Sequence, residues 1–134
     1  MMKLFLFFFC AGVGLAGFAS MSSLVRGETL SQSQVEKKWG QREFHEKSFR
    51  EASLAERASM AASLLSKKKD FLGKKAPEIR TQLGDFSGHY FSESYPTYLI
   101  QKGSEKSPES WQLIFLIDRQ DKVRDIVVHK NCCY

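Results

Sequence analysis

The stretch SLAERASMAASLLSKKKDFLGKKAPEIRTQLG, residues 53–84, constrains the fold more than any other part of the chain. Ser53 followed by Glu56 is a capping box, in which the hydroxyl accepts an early helix N–H and the carboxylate reaches back to the cap. A helix is therefore expected from Leu54. Leu54, Ala58, Ala61 and Leu65, with Met60 and Leu64 beside them, recur at three- and four-residue intervals, while Arg57, Ser59, Ser63 and Ser66 fall on the other side. The alanines permit close approach to a sheet. Lys67, Lys68 and Lys69 lie where the negative end of the helix dipole attracts cations, and Gly73 is a natural breaker after Phe71 and Leu72. Pro77 suits the first turn of a second helix, Glu78 suits its positive end, and Gly84 closes it. Ile79 and Leu83 are four apart on the buried side of this short helix, so tertiary packing must hold it.

Beyond Gly84 the period changes. Residues 95–101 (YPTYLIQ), 111–118 (WQLIFLID) and 123–130 (VRDIVVHK) are rich in aromatic and branched side chains and read as three antiparallel strands. KGSEKSPES, residues 102–110, is a polar loop, and residues 119–122 form a tight hairpin turn. Residues 85–94 either begin a longer, bulged first strand or lie in a loop. An even-length turn sets Phe115 opposite Ile126 and Leu113 opposite Val128, which collects Trp111, Leu113, Phe115, Ile117, Ile126 and Val128 under the helices. The opposite face then carries Ile114, Leu116 and Val127 among Gln112, Asp125 and His129. That partly apolar outer face is the candidate partner surface, with Ile114, Leu116, Asp125, Val127 and His129 as its residues. The expected fold is α+β: two helices on one face of a three-stranded antiparallel meander (αα-βββ), preceded by a signal or anchor segment.

LFLFFFCAGVGLAGFA, residues 4–19, is an apolar and small-residue run without a charge, preceded by Lys3, which is the anatomy of a secretory signal. Gly17 and Ala19 place small residues for cleavage before Ser20, making residues 1–19 a signal peptide. Uncut, residues 4–25 supply the roughly 20 residues that a membrane anchor needs. Phe7, Phe8 and Phe9 precede Cys10, where a lipidated cysteine has a small residue. Residues 20–43 read as a flexible polar tether and residues 44–134 as a single α+β domain. The formal charge is +5. Lys3 and Arg26 lie in or beside the exported segment and all fifteen acids lie beyond it, so the folded part is only mildly basic. Without a stacked aromatic groove, that balance argues against a nucleic-acid partner.

The chemistry-bearing residues are sparse. His45, His89 and His129 are far apart, and His129 with Cys132 and Cys133 matches no zinc spacing, so no metal or other cofactor is expected. Cys132 and Cys133 are the candidate disulfide, a strained bond between neighbours or links to another chain in the oxidising compartment that export implies, the alternative being that both stay reduced. No positioned base accompanies either thiol. Asp118, Asp121 and Asp125 surround a turn, where aspartates serve local hydrogen bonding, and RQDKVRD lacks the alternating oxygen ligands of a calcium loop. No catalytic residues are expected, and no enzymatic activity.

Phe44, Phe49-Arg50, Arg57, Met60 and Leu64, then Gly73-Lys74, Ile79 and Leu83-Gly84, are followed by Tyr98-Leu99-Ile100, Trp111, Leu113, Phe115 and Asp121-Lys122-Val123. In that order they resemble the small exported domains of the outer-membrane-assembly lipoprotein family BamE (SmpA/OmlA) and the related beta-lactamase-inhibitory-protein fold, over residues 44–130. Asp85-Phe86 stands where such folds usually carry a proline-containing turn. The resemblance implies a non-enzymatic binding or scaffold module of the cell envelope, periplasmic or secreted, or held in the inner membrane by its N-terminal segment. Its expected partner is another envelope or secreted protein. The alternative it implies is a secreted inhibitor or effector that binds and blocks an enzyme.

Overall fold

The computed structural model describes residues 27–90 and 94–131. Along the chain run β1 (Gly27–Leu30), α1 (Gln32–Trp39), α2 (Glu46–Glu51), α3 (Leu54–Ser66), a 3-10 turn (Lys68–Asp70), α4 (Ala76–Leu83), β2 (Thr97–Gln101), β3 (Ser110–Ile117) and β4 (Val123–Asn131). The strands form one antiparallel sheet in the order β1-β4-β3-β2.

This corrects the expected fold of two helices on a three-stranded meander: the described residues hold four α-helices and four strands. The additional elements, β1, α1 and α2, all come from before Ser53. Ser31 is itself an N-cap, its hydroxyl accepting the Gln34 N–H at 3.3 Å while Gln34 Oε1 accepts the Ser31 N–H at 2.8 Å. Four residues apart, Val35 and Trp39 then face inward. Val35 is fully buried, and the Trp39 ring meets Trp111 edge to face at 5.5 Å, with its N–H donated to Gln101 Oε1. The polar outer side of this helix conceals how little apolar surface is needed to dock it. β1 joins β4 in register from Gly27 opposite Asn131 to Leu30 opposite Val128.

α3 is sandwiched between α1 and the sheet. Ala58, Met60, Ala61, Leu64 and Leu65 are buried as its periodicity requires, and Ala62 is buried too because α1 covers that side. Ser63, on the side expected to face water, accepts the Phe44 N–H at 2.9 Å. Arg57 is likewise half-buried. Its guanidinium lies 5.0 Å from the Phe49 ring and 5.7 Å from Tyr98, and its Nε donates to the Phe49 carbonyl at 3.0 Å.

The core is a circuit of edge-to-face rings running Phe44, Phe49, Tyr98, Phe115, Phe71 and back to Phe44, with centroids 5.4–6.0 Å apart. Such pairs add to the stability given by area burial. The circuit ties α2, α3's exit and two strands together. Tyr98 also needs a partner for its hydroxyl, and donates to the Gly84 carbonyl at 2.8 Å where α4 ends. Burial pushes the Tyr98 phenol well above its ordinary range.

The hairpin register is as expected: Leu113 faces Val128 and Phe115 faces Ile126. Asp118 organises the turn, its Oδ1 accepting the N–H groups of Gln120 at 2.7 Å and Lys122 at 3.1 Å. Asp121 takes a φ of 60°, a conformation that Asp tolerates in turns. A one-residue bulge interrupts the register between Leu116 and Ile117, and another separates Leu99 from Gln101.

Candidate partner face

Side chains alternate along a strand, so Leu99, Gln112, Ile114, Leu116, Val127 and His129 share the sheet face opposite the helices. The chain leaving α4 crosses this face. Ser87 and Gly88 donate their N–H groups to the Thr97 carbonyl on β2, and His89 donates its backbone N–H to Gln112 Oε1 on β3 at 2.7 Å. Asn131 on β4 then holds the His89 carbonyl through Nδ2 at 2.8 Å. Only glycine fits where the crossing begins, because a Cβ on Gly88 would lie 2.4 Å from Gln112 Oε1 and 2.7 Å from Thr97 Cγ2.

The crossing divides the candidate residues. Ile114 is fully buried and His129 is buried, whereas Leu116, Asp125 and Val127 remain half-buried near the hairpin end. His129 lies against Tyr90 edge to face at 5.4 Å, with its Nδ1 3.1 Å from Thr29 Oγ1. Burial lowers the His129 pKa, favouring a neutral ring. A hydroxyl beside an imidazole is the start of a nucleophile–base pair, but catalysis also needs a group orienting the ring and an oxyanion site. Here the Tyr90 ring packs against the imidazole.

Asp125 meets Lys68 Nζ at 2.8 Å, and its Oδ1 also accepts the Ile126 N–H. Burial works to raise its pKa, but the Lys68 bond, the Ile126 N–H and the charges of Lys68 and Arg124 outweigh it and hold the carboxyl low. This pair spans the margin of β4 beyond the end of β1. Cys132 and Cys133 lie outside the described residues.

Among the described residues, no three His, Cys, Asp or Glu side chains are grouped to hold a metal ion. His45 and His89 are exposed and belong to no such group. A polar depression between α1 and α3 is lined by Gln32, Glu36, Gln41, Ser63 and Ser66. No helix of the described residues is long and apolar enough to cross a membrane; residues 4–25 lie outside them. Sequence reasoning missed the residues that hold the crossing, Gln112, Asn131 and Gly88. Gly88 and the aromatics after it were the available signal, since glycine between polar and aromatic residues marks close backbone approach.

The fold and face define an α+β protein whose helices cover one side of a four-stranded antiparallel sheet and whose own chain partly covers the other. Compared with protein-family models, curated proteins and solved structures, the chain finds no match in any of the three.

Proposed function

We propose that this chain is a non-enzymatic module, exported by its apolar N-terminal segment, that binds another protein of the cell envelope through the hairpin end of its outer sheet face. The observation that carries this reading is the unequal covering of that face. Ile114 and His129 are buried, His129 against Tyr90, whereas Leu116 and Val127, diagonal neighbours on β3 and β4, stay partly open beside the Asp125–Lys68 pair. An apolar centre with a charged rim is the anatomy of a protein interface. The resemblance to envelope scaffold domains supports the same reading.

Replacement Leu116→Asp tests it. The variant and the parent chain are expressed in the native host, cross-linked in the envelope fraction and recovered by affinity. Loss of the cross-linked partner bands, with an unchanged thermal melt, is expected. Retention of the same bands would remove this face as the binding site.

A further inference from the structure

A different surface, at the hairpin tip, carries cations that the fold itself disfavours. The link between α3 and α4 is zipped to the β3–β4 turn: Gly73 donates to the Val123 carbonyl at 2.8 Å, and Val123 donates to the Lys74 carbonyl at 2.8 Å. An isolated antiparallel bridge then sets Lys75 directly opposite Lys122. Like charges opposed across a ladder destabilise it. Lys74 and Lys75 also stand at the entrance to α4, the positive end of its dipole, where cations are unfavourable. That helix entrance is already occupied, since Glu78 Oε2 accepts the Lys75 N–H at 2.7 Å.

The nearby Lys67 and Lys68 have structural work. Lys67 Nζ donates to the Phe44 carbonyl and Lys68 pairs with Asp125. Lys69, Lys74, Lys75 and Lys122 take part in no ion pair among the described residues. In their midst Leu72 is 44% exposed, the one large apolar side chain so exposed among the described residues. Two local electrostatic costs and one exposed leucine converge on a single tip, and none of the three helps the domain to fold.

We propose that this tip docks an acidic segment of a partner protein, whose carboxylates neutralise Lys74, Lys75 and Lys122 while an apolar side chain packs on Leu72. Asp70 and Asp121, both exposed, interrupt the cations. A uniformly anionic bilayer or polyphosphate would meet both carboxylates, whereas a protein segment can place its charges between them. The proposal is independent of the Leu116 face, and each fails or stands separately.

The test uses the full chain in neutral detergent and a fluorescein-labelled peptide in which glutamates flank one leucine, read by anisotropy. Saturable, salt-sensitive binding is expected. Lys75→Ala with Lys122→Ala should weaken it about tenfold, Leu72→Ala should weaken it further, and the remote pair Lys37→Ala with Lys47→Ala should leave it within about twofold. Equal loss from the remote pair would reduce the effect to general basicity and overturn the proposal. So would absence of binding, or tighter binding of inorganic polyphosphate or monomeric short-chain phosphatidylglycerol. Lys75→Gln supplies a readout without ligand: relief of the opposed charges, with the residue 75 N–H still held by Glu78, should raise the melting temperature, and a fall with fold retained would show that the opposition costs nothing.

Discussion

His129 shows how one buried side chain ties the sheet to its covering. It bonds Thr29 on β1 and carries the Tyr90 ring, so its charge state bears on both contacts. Burial holds its folded pKa below the ordinary 6.5. At intermediate pH the unfolded chain therefore binds the extra proton. The stability contributed by the neutral ring is complete above about pH 6.5 and is lost as pH falls from there through the folded value. The Asp125 carboxyl is also held low, so its contribution disappears only in a more acidic range, below its ordinary 3.8. Two separate declines are expected in urea midpoints measured from neutral to strongly acid pH. His129→Gln should remove the upper one and leave the lower. A wild-type midpoint that is flat through the histidine range would contradict the buried neutral ring.

The elements differ in how well the sequence exposed them. α3, α4 and the β3–β4 register were legible because period, caps and an even turn length all agree there. β1 and α1 were not. A four-residue strand has little pattern, and SQSQ looks like a polar link although Ser31 and Gln34 are a capping box ahead of Val35 and Trp39. Arg57 and Ser63 were assigned to solvent because a helical wheel assumes one covered side, whereas α2 and the Phe44 backbone before it engage them from another. Alternation groups the outer-face residues in the sequence, but their exposure could not be read from it. Exposure depends on where the chain between α4 and β2 lies, and residues 85–90 have no regular period. That crossing can be tested as an element. Gly88→Ala forces Gln112 or Thr97 aside and should destabilise the protein by about 1–3 kcal/mol. Hydrogen exchange should show faster loss of the His89 amide than of the β3–β4 ladder. Unchanged protection at His89 would mean that the crossing does not depend on the Gly88 contact.

At the scale of the molecule, the N-terminal strand and helix are part of the fold rather than an arm beside it. β1 covers the Val128–Asn131 margin of β4, and α1 presses Val35 and Trp39 onto the core through α3 and Trp111. Val35 alone represents about 2 kcal/mol of apolar burial. Stripping Trp39 from Trp111 and the strand from β4 adds to that loss, in a protein whose total stability is expected to be on the order of 5–15 kcal/mol. The proposed cleavage before Ser20 would leave β1 intact. Two truncations separate the parts. A chain starting at Gly27 should unfold in a single transition at nearly the midpoint of the full chain. One starting at Gln41 should lose that cooperative transition and associate through the bared margin of β4. If the shorter chain instead melts like the longer one, the helices α2–α4 and the β2–β4 meander suffice, and β1 with α1 is an addition that the core does not need.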